Sequence, residues 1–323
     1  MKYTLSKILL LFLVSFFAIN LYSQTSKITF APQWLPQAQF AGYYVAQEQG
    51  FYKEAGIEVE IIHPSANIQA TELLAQGKAD IISLFLITGM SAKNGGLDIV
   101  NIGQLSQNSA ILFVTKKSRG IDKIEKLDGK KIGIWRSGFG EIPVALMQEK
   151  KINIEWVPIL STVNLFLMDG IDAMTVMYYN EYDNIINCGI NEDELNVFAV
   201  ADYGYNVPED GLFCLESTYE NRKPEFEKFI EATFKGWDYA AANKEYAIAV
   251  VLQRMKNAHT QANRAHQGWM LDKVLEMMST QSKGVKRGEL LESDFLKAAD
   301  IILKSTNSGI KYTFDEFYKP VVK

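Results

Sequence analysis

Short apolar runs alternate with amphipathic segments along most of the chain, and their spacing predicts strands and helices in turn. Ile28–Ala31, Val59–Ile62, Asp80–Leu84 and Ile99–Ile102 read as strands. Phe40–Gln49, Ala70–Gln76 and Ile87–Lys93 read as the helices between them, stopped at Gly50, Gly77 and Gly95. Such alternation predicts βαβ units on a parallel sheet. After an apolar strand at Ala110–Thr115, a second unit starts near residue 116. It has strands at Lys131–Trp135, Glu155–Ile159 and Asp172–Met177, a helix ending at Lys150 and another from Asn164. From Pro224 onward the pattern is helical, over Pro224–Asn243, Lys244–Lys256 and His266–Met278. Pro224 is expected at a helix start, where its missing N–H costs nothing. The class is α/β, with two lobes, the second inserted into the first, and a helical C-terminal part. Lobe I is expected to comprise 24–112 and 214–323, and lobe II 113–213. Crossover strands are expected near 110–116 and 211–217, and a cleft between the lobes is the default ligand site.

The N-terminus differs from everything after it. Lys2 and Lys7 precede an apolar run from Ile8 to Ile19, and a polar stretch leads to Gln24. That is the pattern of a cleaved signal peptide, placed at 1–23. The run is shorter than the ~20 residues a membrane span needs. A periplasmic location follows as the expectation.

Composition narrows the chemistry. The chain has 323 residues, 48% of them hydrophobic, enough for a sizeable core. The formal net charge is −5 and no basic cluster occurs, so no nucleic-acid partner is expected. Two cysteines, Cys188 and Cys214, cannot make a disulfide scaffold or a four-thiolate metal site. An oxidising compartment would permit them to pair. Three scattered histidines suggest no metal site, and His63, His259 and His266 are expected in a turn and on the surface of the helical tail. No Gly-x-Ser-x-Gly and no His-Glu-x-x-His is present, so no catalytic residue, metal or cofactor is expected and the protein is not read as an enzyme.

Several motifs resemble one family. They are Gln33-Trp34-Leu35-Pro36, Gly42-Tyr43-Tyr44-Val45-Ala46 and Gly50-Phe51-Tyr52-Lys53-Glu54-Ala55-Gly56-Ile57. Glu72 to Asp80 and Leu127-Asp128-Gly129-Lys130-Lys131-Ile132-Gly133 continue the likeness. Together they resemble periplasmic substrate-binding proteins with the sulfonate-binding/thiamine-pyrimidine-synthase-like domain. The resemblance covers most of the mature chain and weakens after about residue 280. It implies the type II periplasmic-binding-protein fold with a hinge of two strands. It also implies a monomer that delivers a small solute to an ABC permease in the inner membrane. The family's enzymatic branch builds the thiamine pyrimidine with a lysine, a histidine and a cysteine-rich run. Those positions fall on Leu84, Thr88 and Asp210-Gly211-Leu212-Phe213-Cys214, which cannot supply the same chemistry. The ligand class the family suggests is a flat nitrogen heterocycle, a thiamine-pyrimidine precursor or riboflavin. A sulfonate, for which Arg136 would be suited, is a third option.

The candidate ligand-binding residues follow. Trp34 leaves the first strand between Pro32 and Pro36, where an indole would stack on a flat ring. Tyr43 begins the next helix and is expected at the cleft. Tyr178, Asn180 and Glu181 follow the strand ending at Met177; an amide beside a carboxylate reads a ring amidine or exocyclic amine. The resemblance places an Asn/His–Glu pair at Asn180 and Glu181. Ser137, Gly138, Phe139 and Gly140 form a glycine-rich loop at a helix start, with Trp135 just before it. Asp210 precedes the return crossover.

Overall fold

The computed structural model describes residues 25–65, 68–135, 140–160, 162–281 and 283–322. The expected signal segment 1–23, Arg136, and the loop residues Ser137, Gly138 and Phe139 lie outside the described residues.

Strands β1 (Ser26–Ala31), β2 (Ile57–Ile61), β3 (Ile81–Phe85), β4 (Ile99–Gln104) and β10 (Asp210–Leu215) form one sheet, in the order β2-β1-β3-β10-β4. Strands β5 (Ile111–Lys116), β6 (Lys130–Trp135), β7 (Ile154–Ile159), β8 (Ala173–Met177) and β9 (Leu195–Ala199) form the other, in the order β7-β6-β8-β5-β9. The inner strands are covered on both faces and are buried along their length, as in Ile81–Leu84 and Ala173–Met177, where Ser83 and Thr175 are the polar exceptions. Edge strand β2 instead alternates, with Ile57 and Val59 buried and Glu58 and Glu60 exposed.

The expected all-parallel sheets are corrected by one strand in each. β10 runs antiparallel to β3 and β4, and β5 runs antiparallel to β8 and β9. The cause is topological. The parallel strands of each sheet end at the cleft, so a strand that enters its lobe from the cleft must run the other way. Both strands fall where crossovers were expected. The chain itself passes between the sheets just before them, through 105–110 and 200–209.

These two connections are tied to each other. Gln104 Nε2 donates to the Glu209 carbonyl at 3.0 Å, and the Leu105 and Ser106 amides donate to the Asp210 carbonyl at 2.9 and 3.0 Å. The Glu209 carboxylate accepts from the Ala110 amide at 2.6 Å. A Cβ on Gly211 would lie 2.6 Å from Gln104 Oε1 and 2.7 Å from Asn101 Nδ2, so any larger residue would displace these two amides.

The C-terminal helices complete lobe I and reach lobe II. Helix Glu216–Ala242 crosses helix Ala41–Glu48 at a glycine contact: a Cβ on Gly236 would sit 2.2 Å from the Gly42 carbonyl. Pro224 lies inside this helix and not at its start, because the helix leaves β10 directly at Glu216. Pro224 is exposed, so the one lost backbone bond opens to solvent. Helix Glu292–Thr306, for which no pattern was singled out, packs on helix Leu86–Asn94 of lobe I and helix Glu141–Glu149 of lobe II. Lys304 adds an ion pair to Glu149 at 2.6 Å. Cys188 is exposed, Cys214 is buried, and both are free. Among the described residues no helix is long and apolar enough to cross a membrane.

Candidate functional site

A cavity of about 350 Å³ lies between the two sheets, at the carboxyl ends of β1, β3, β6 and β8. Lobe I lines it with Gln33, Trp34, Gln37, Gln39, Gln69, Thr71, Leu84, Phe85 and Thr88; lobe II supplies Trp135, Met177, Tyr179, Asn180 and Glu181.

On the lobe I wall the chain leaves β1 at Ala31 and cannot continue the sheet through Pro32. The loop is pinned where it turns. The Gln33 amide donates to Ser83 Oγ at 3.1 Å, and the Phe85 amide donates to Gln33 Oε1 at 3.2 Å. His63, expected as a bare turn residue, sits under the loop. Its ring bonds the Trp34 carbonyl at 2.7 Å through Nδ1 and the Tyr44 hydroxyl at 3.0 Å through Nε2. Trp34 is thereby presented with 39% of its surface exposed. Its indole meets Trp135 of the opposite lobe edge to face, at 6.2 Å between ring centroids and 89° between planes. One aromatic from each lobe therefore meets the other at the cavity.

Asp210 is not itself on the cavity wall. It stands behind the glutamines and orients them: Gln39 Nε2 donates to Oδ2 at 2.9 Å, and Gln33 Nε2 donates to Oδ1. Burial pushes its carboxyl up to about 7, and the Gln39 hydrogen bond opposes the rise. From sequence, Gln33 and Gln37 read only as loop markers, and Gln39 and Gln69 are passed over. The spacing Gln33, Gln37, Gln39 directly after a strand end was the available signal.

On the lobe II wall, Glu181 opens helix Glu181–Asn187 and is 4% exposed. Its carboxylate accepts from the Met177 amide at 2.8 Å and from Asn180 Nδ2 at 2.7 Å. Burial raises it to about 7 against those two bonds. Tyr179 beside it is buried; desolvation, then Glu209, Asp210 and Glu181, push its phenol well up. The described lining holds no Lys or Arg.

Besides Asp210, three expected site residues do not line this cavity: Tyr43, Tyr178 and Gly140. Tyr43 is 2% exposed and packs against Phe30, Phe229 and Trp237, at the edge of a small recess behind the glutamines. Tyr178 also faces away, packing on Trp269 and Tyr182, and its neighbour Tyr179 takes the cavity side. Adjacent residues at a strand end point to opposite faces, so only one tyrosine of the pair can line the cleft. Gly140 precedes helix Glu141–Glu149 in ordinary helical backbone (φ −68°) and is not among the lining residues. His266 is corrected too: it is buried, 8% exposed, and bonded to lobe II through Asp183 and Asn180.

With this geometry in hand, comparison with known proteins gives the frame. The model of the NMT1/THI5 like family matches residues 37–247, more than half of the chain. The riboflavin-binding protein RibY of Chloroflexus aurantiacus is 26% identical over 252 residues, covering 75% of this chain and 70% of that protein. The 4-amino-5-hydroxymethyl-2-methylpyrimidine phosphate synthase of Schizosaccharomyces pombe is 32% identical over 118 residues. That match covers 36% of this chain, and the chain spans only 34% of the synthase's length. Among solved structures, the periplasmic aliphatic sulphonate binding protein SsuA from Escherichia coli superposes with a TM-score of 0.62 at 14% identity, over 76% of this chain and 83% of that one. A ligand-binding component of an ABC-type import system from Staphylococcus aureus gives a TM-score of 0.64 at 11% identity, over 91% and 97%. The chain belongs to the NMT1/THI5-like family and has the periplasmic-binding-protein fold.

Proposed function

We propose that this solute-binding protein is an exported receptor that hands a small, flat nitrogen heterocycle to an ABC permease. The observation that carries the reading is the makeup of the cavity wall. Two tryptophans from opposite lobes, four glutamines, Asn180 and Glu181 converge on it, with no cation among the described lining residues. Indole faces suit a flat ring, amides suit ring nitrogens and carbonyls, and a carboxylate suits an N–H or amino edge. Among the described lining residues a sulfonate would meet buried acids and no positive partner, a costly arrangement. The names of two relatives, a riboflavin-binding protein and a pyrimidine phosphate synthase, point to the same ligand class.

Binding is favoured over catalysis because Leu84 and Thr88 line the cavity. These are the positions where the resemblance placed the synthase's lysine and histidine. Leucine forms no Schiff base and threonine supplies no imidazole. The test is isothermal titration with 4-amino-5-hydroxymethyl-2-methylpyrimidine, riboflavin and an alkanesulfonate, beside mass spectrometry of whatever co-purifies. Saturable binding of either heterocycle, with none of the sulfonate, supports the reading. Sulfonate binding alone would overturn it, and so would an aldimine absorbance on adding pyridoxal phosphate.

A further inference from the structure

Glu181 does not stand alone on the lobe II wall. Asn180 Nδ2 donates to its Oε1 at 2.7 Å, which leaves Asn180 Oδ1 to face the other way. There it meets His266 Nε2 at 3.1 Å, and Asn184 Nδ2 at a longer 3.5 Å. The other ring nitrogen, Nδ1, lies 2.6 Å from Asp183 Oδ2. Both ring nitrogens thus face side-chain oxygens, and a ring protonated on both nitrogens would donate to each. Asp183 also receives Asn187 Nδ2 at 2.7 Å, so its orientation is fixed in turn.

The members of this chain come from different lobes. Asn180, Glu181 and Asp183 open a lobe II helix. His266 sits on helix Arg264–Met277, which belongs to the C-terminal part and also holds the lobe I loop, the Ala38 amide donating to Gln267 Oε1 at 2.7 Å. Three residues further on, Trp269 Nε1 donates to the Tyr178 carbonyl at 3.0 Å, fixing the same helix to lobe II a second time.

We propose that His266 is a positioning residue that sets which ligand edge Glu181 accepts, by locking the Asn180 amide from across the cleft. An asparagine amide has two unlike ends. With its NH₂ on Glu181 it supports an ionised carboxylate, which accepts an N–H of the ligand in a charge-assisted bond. Turned over, its oxygen would face Glu181 and support only the protonated acid, a weaker acceptor. A His266 ring that donates through Nε2 selects the first orientation, because the turned amide would aim its NH₂ at an N–H. Recognition of an amino edge is therefore complete only when helix Arg264–Met277 and lobe II are in contact. The inference rests on the reading of Glu181 as a ligand acceptor.

The test uses His266→Leu, which removes both bonds, and His266→Gln, which retains an amide N–H for Asn180. Two probes are titrated: 4-amino-5-hydroxymethyl-2-methylpyrimidine, and the same ring with hydrogen in place of the amine. His266→Leu is expected to weaken the amino probe by roughly ten- to a hundredfold, the scale of a bond to a charged group, and the other by less than about threefold. His266→Gln should recover most of the loss. Equal weakening of both probes would mean a merely structural histidine and overturn the proposal. If neither probe binds the unaltered protein, the reading of Glu181 fails, while the lock is still read without ligand. The Asn180 side-chain amide signals in ¹⁵N NMR should move strongly in His266→Leu and little in His259→Leu. Unmoved Asn180 signals in His266→Leu would overturn the lock by themselves.

Discussion

The two walls of the cavity solve one problem in different ways. Each has to hold a buried acid near the ligand. On lobe I, Asp210 is withdrawn behind Gln33 and Gln39, whose amides bond it and pass only neutral polarity to the cavity. On lobe II, Glu181 reaches the cavity itself, and its support runs through Asn180 to a histidine from the other side of the cleft. The first wall keeps its acid behind neutral amides and suits general recognition of ring edges. The second is completed by contact with helix Arg264–Met277, so charge recognition and lobe contact are coupled. A binding protein that must discriminate before it closes gains from such a division.

The contrast can be broken most sharply at Glu181. Glu181→Gln keeps the shape but removes the charged acceptor, and the affinity for the aminopyrimidine should fall by roughly thirtyfold. Asp210→Asn, behind its glutamines, should cost less in calorimetry with the same probe. Equal losses would erase the distinction between the walls.

Trp34→Ala comes next. It removes stacking and apolar area from the lobe I side, and affinity should drop by about tenfold or more for amino and des-amino rings alike. The ligand-free melting temperature should stay nearly unchanged, because Trp34 is exposed at the cavity. A fall of many degrees would make Trp34 a packing residue.

A separate effect is a pH dependence without ligand. Burial raises Glu181 and Asp210 each to about 7, and raises Glu209 well above the ordinary carboxyl range. Folded carboxyls raised above their unfolded values favour the fold when protonated. Their contribution is full below the ordinary range and is lost as pH climbs through about 7. Between about pH 5 and pH 8 the stability should fall by on the order of a few kcal/mol. Thermal melts across that range measure it. Glu181→Gln should flatten part of the slope, whereas a melting temperature that rises with pH would contradict the buried-acid description.

How much of this was legible beforehand depends on whether the signal is local. The α/β class was readable because βαβ units write themselves as consecutive apolar and amphipathic runs. Trp34, Trp135, Asn180 and Glu181 could be placed near the cavity because each lies at or just after a recognisable strand end. Strand β9 was not readable: in Leu195–Ala199 the polar Asn196 interrupts the apolar run. Direction was also hidden, since a run of apolar residues carries no sign of which neighbour it will oppose. His266 was read as a surface residue because its partners lie 83 and 86 positions away. The same limit applies to Asp210, whose glutamines are 171 and 177 positions distant.

The edge-to-face pair of Trp34 and Trp135 has an optical consequence. Two indoles held 6.2 Å apart at nearly a right angle are close enough for their electronic transitions to couple, and each belongs to a different lobe. The molecule thus carries a built-in dichroic gauge of its own aperture. Parting the lobes separates the chromophores and extinguishes the coupled near-ultraviolet signal, and a ring sliding between them replaces it with a new one. Solute capture is expected to register as a change in the protein's near-ultraviolet circular dichroism, with no label attached.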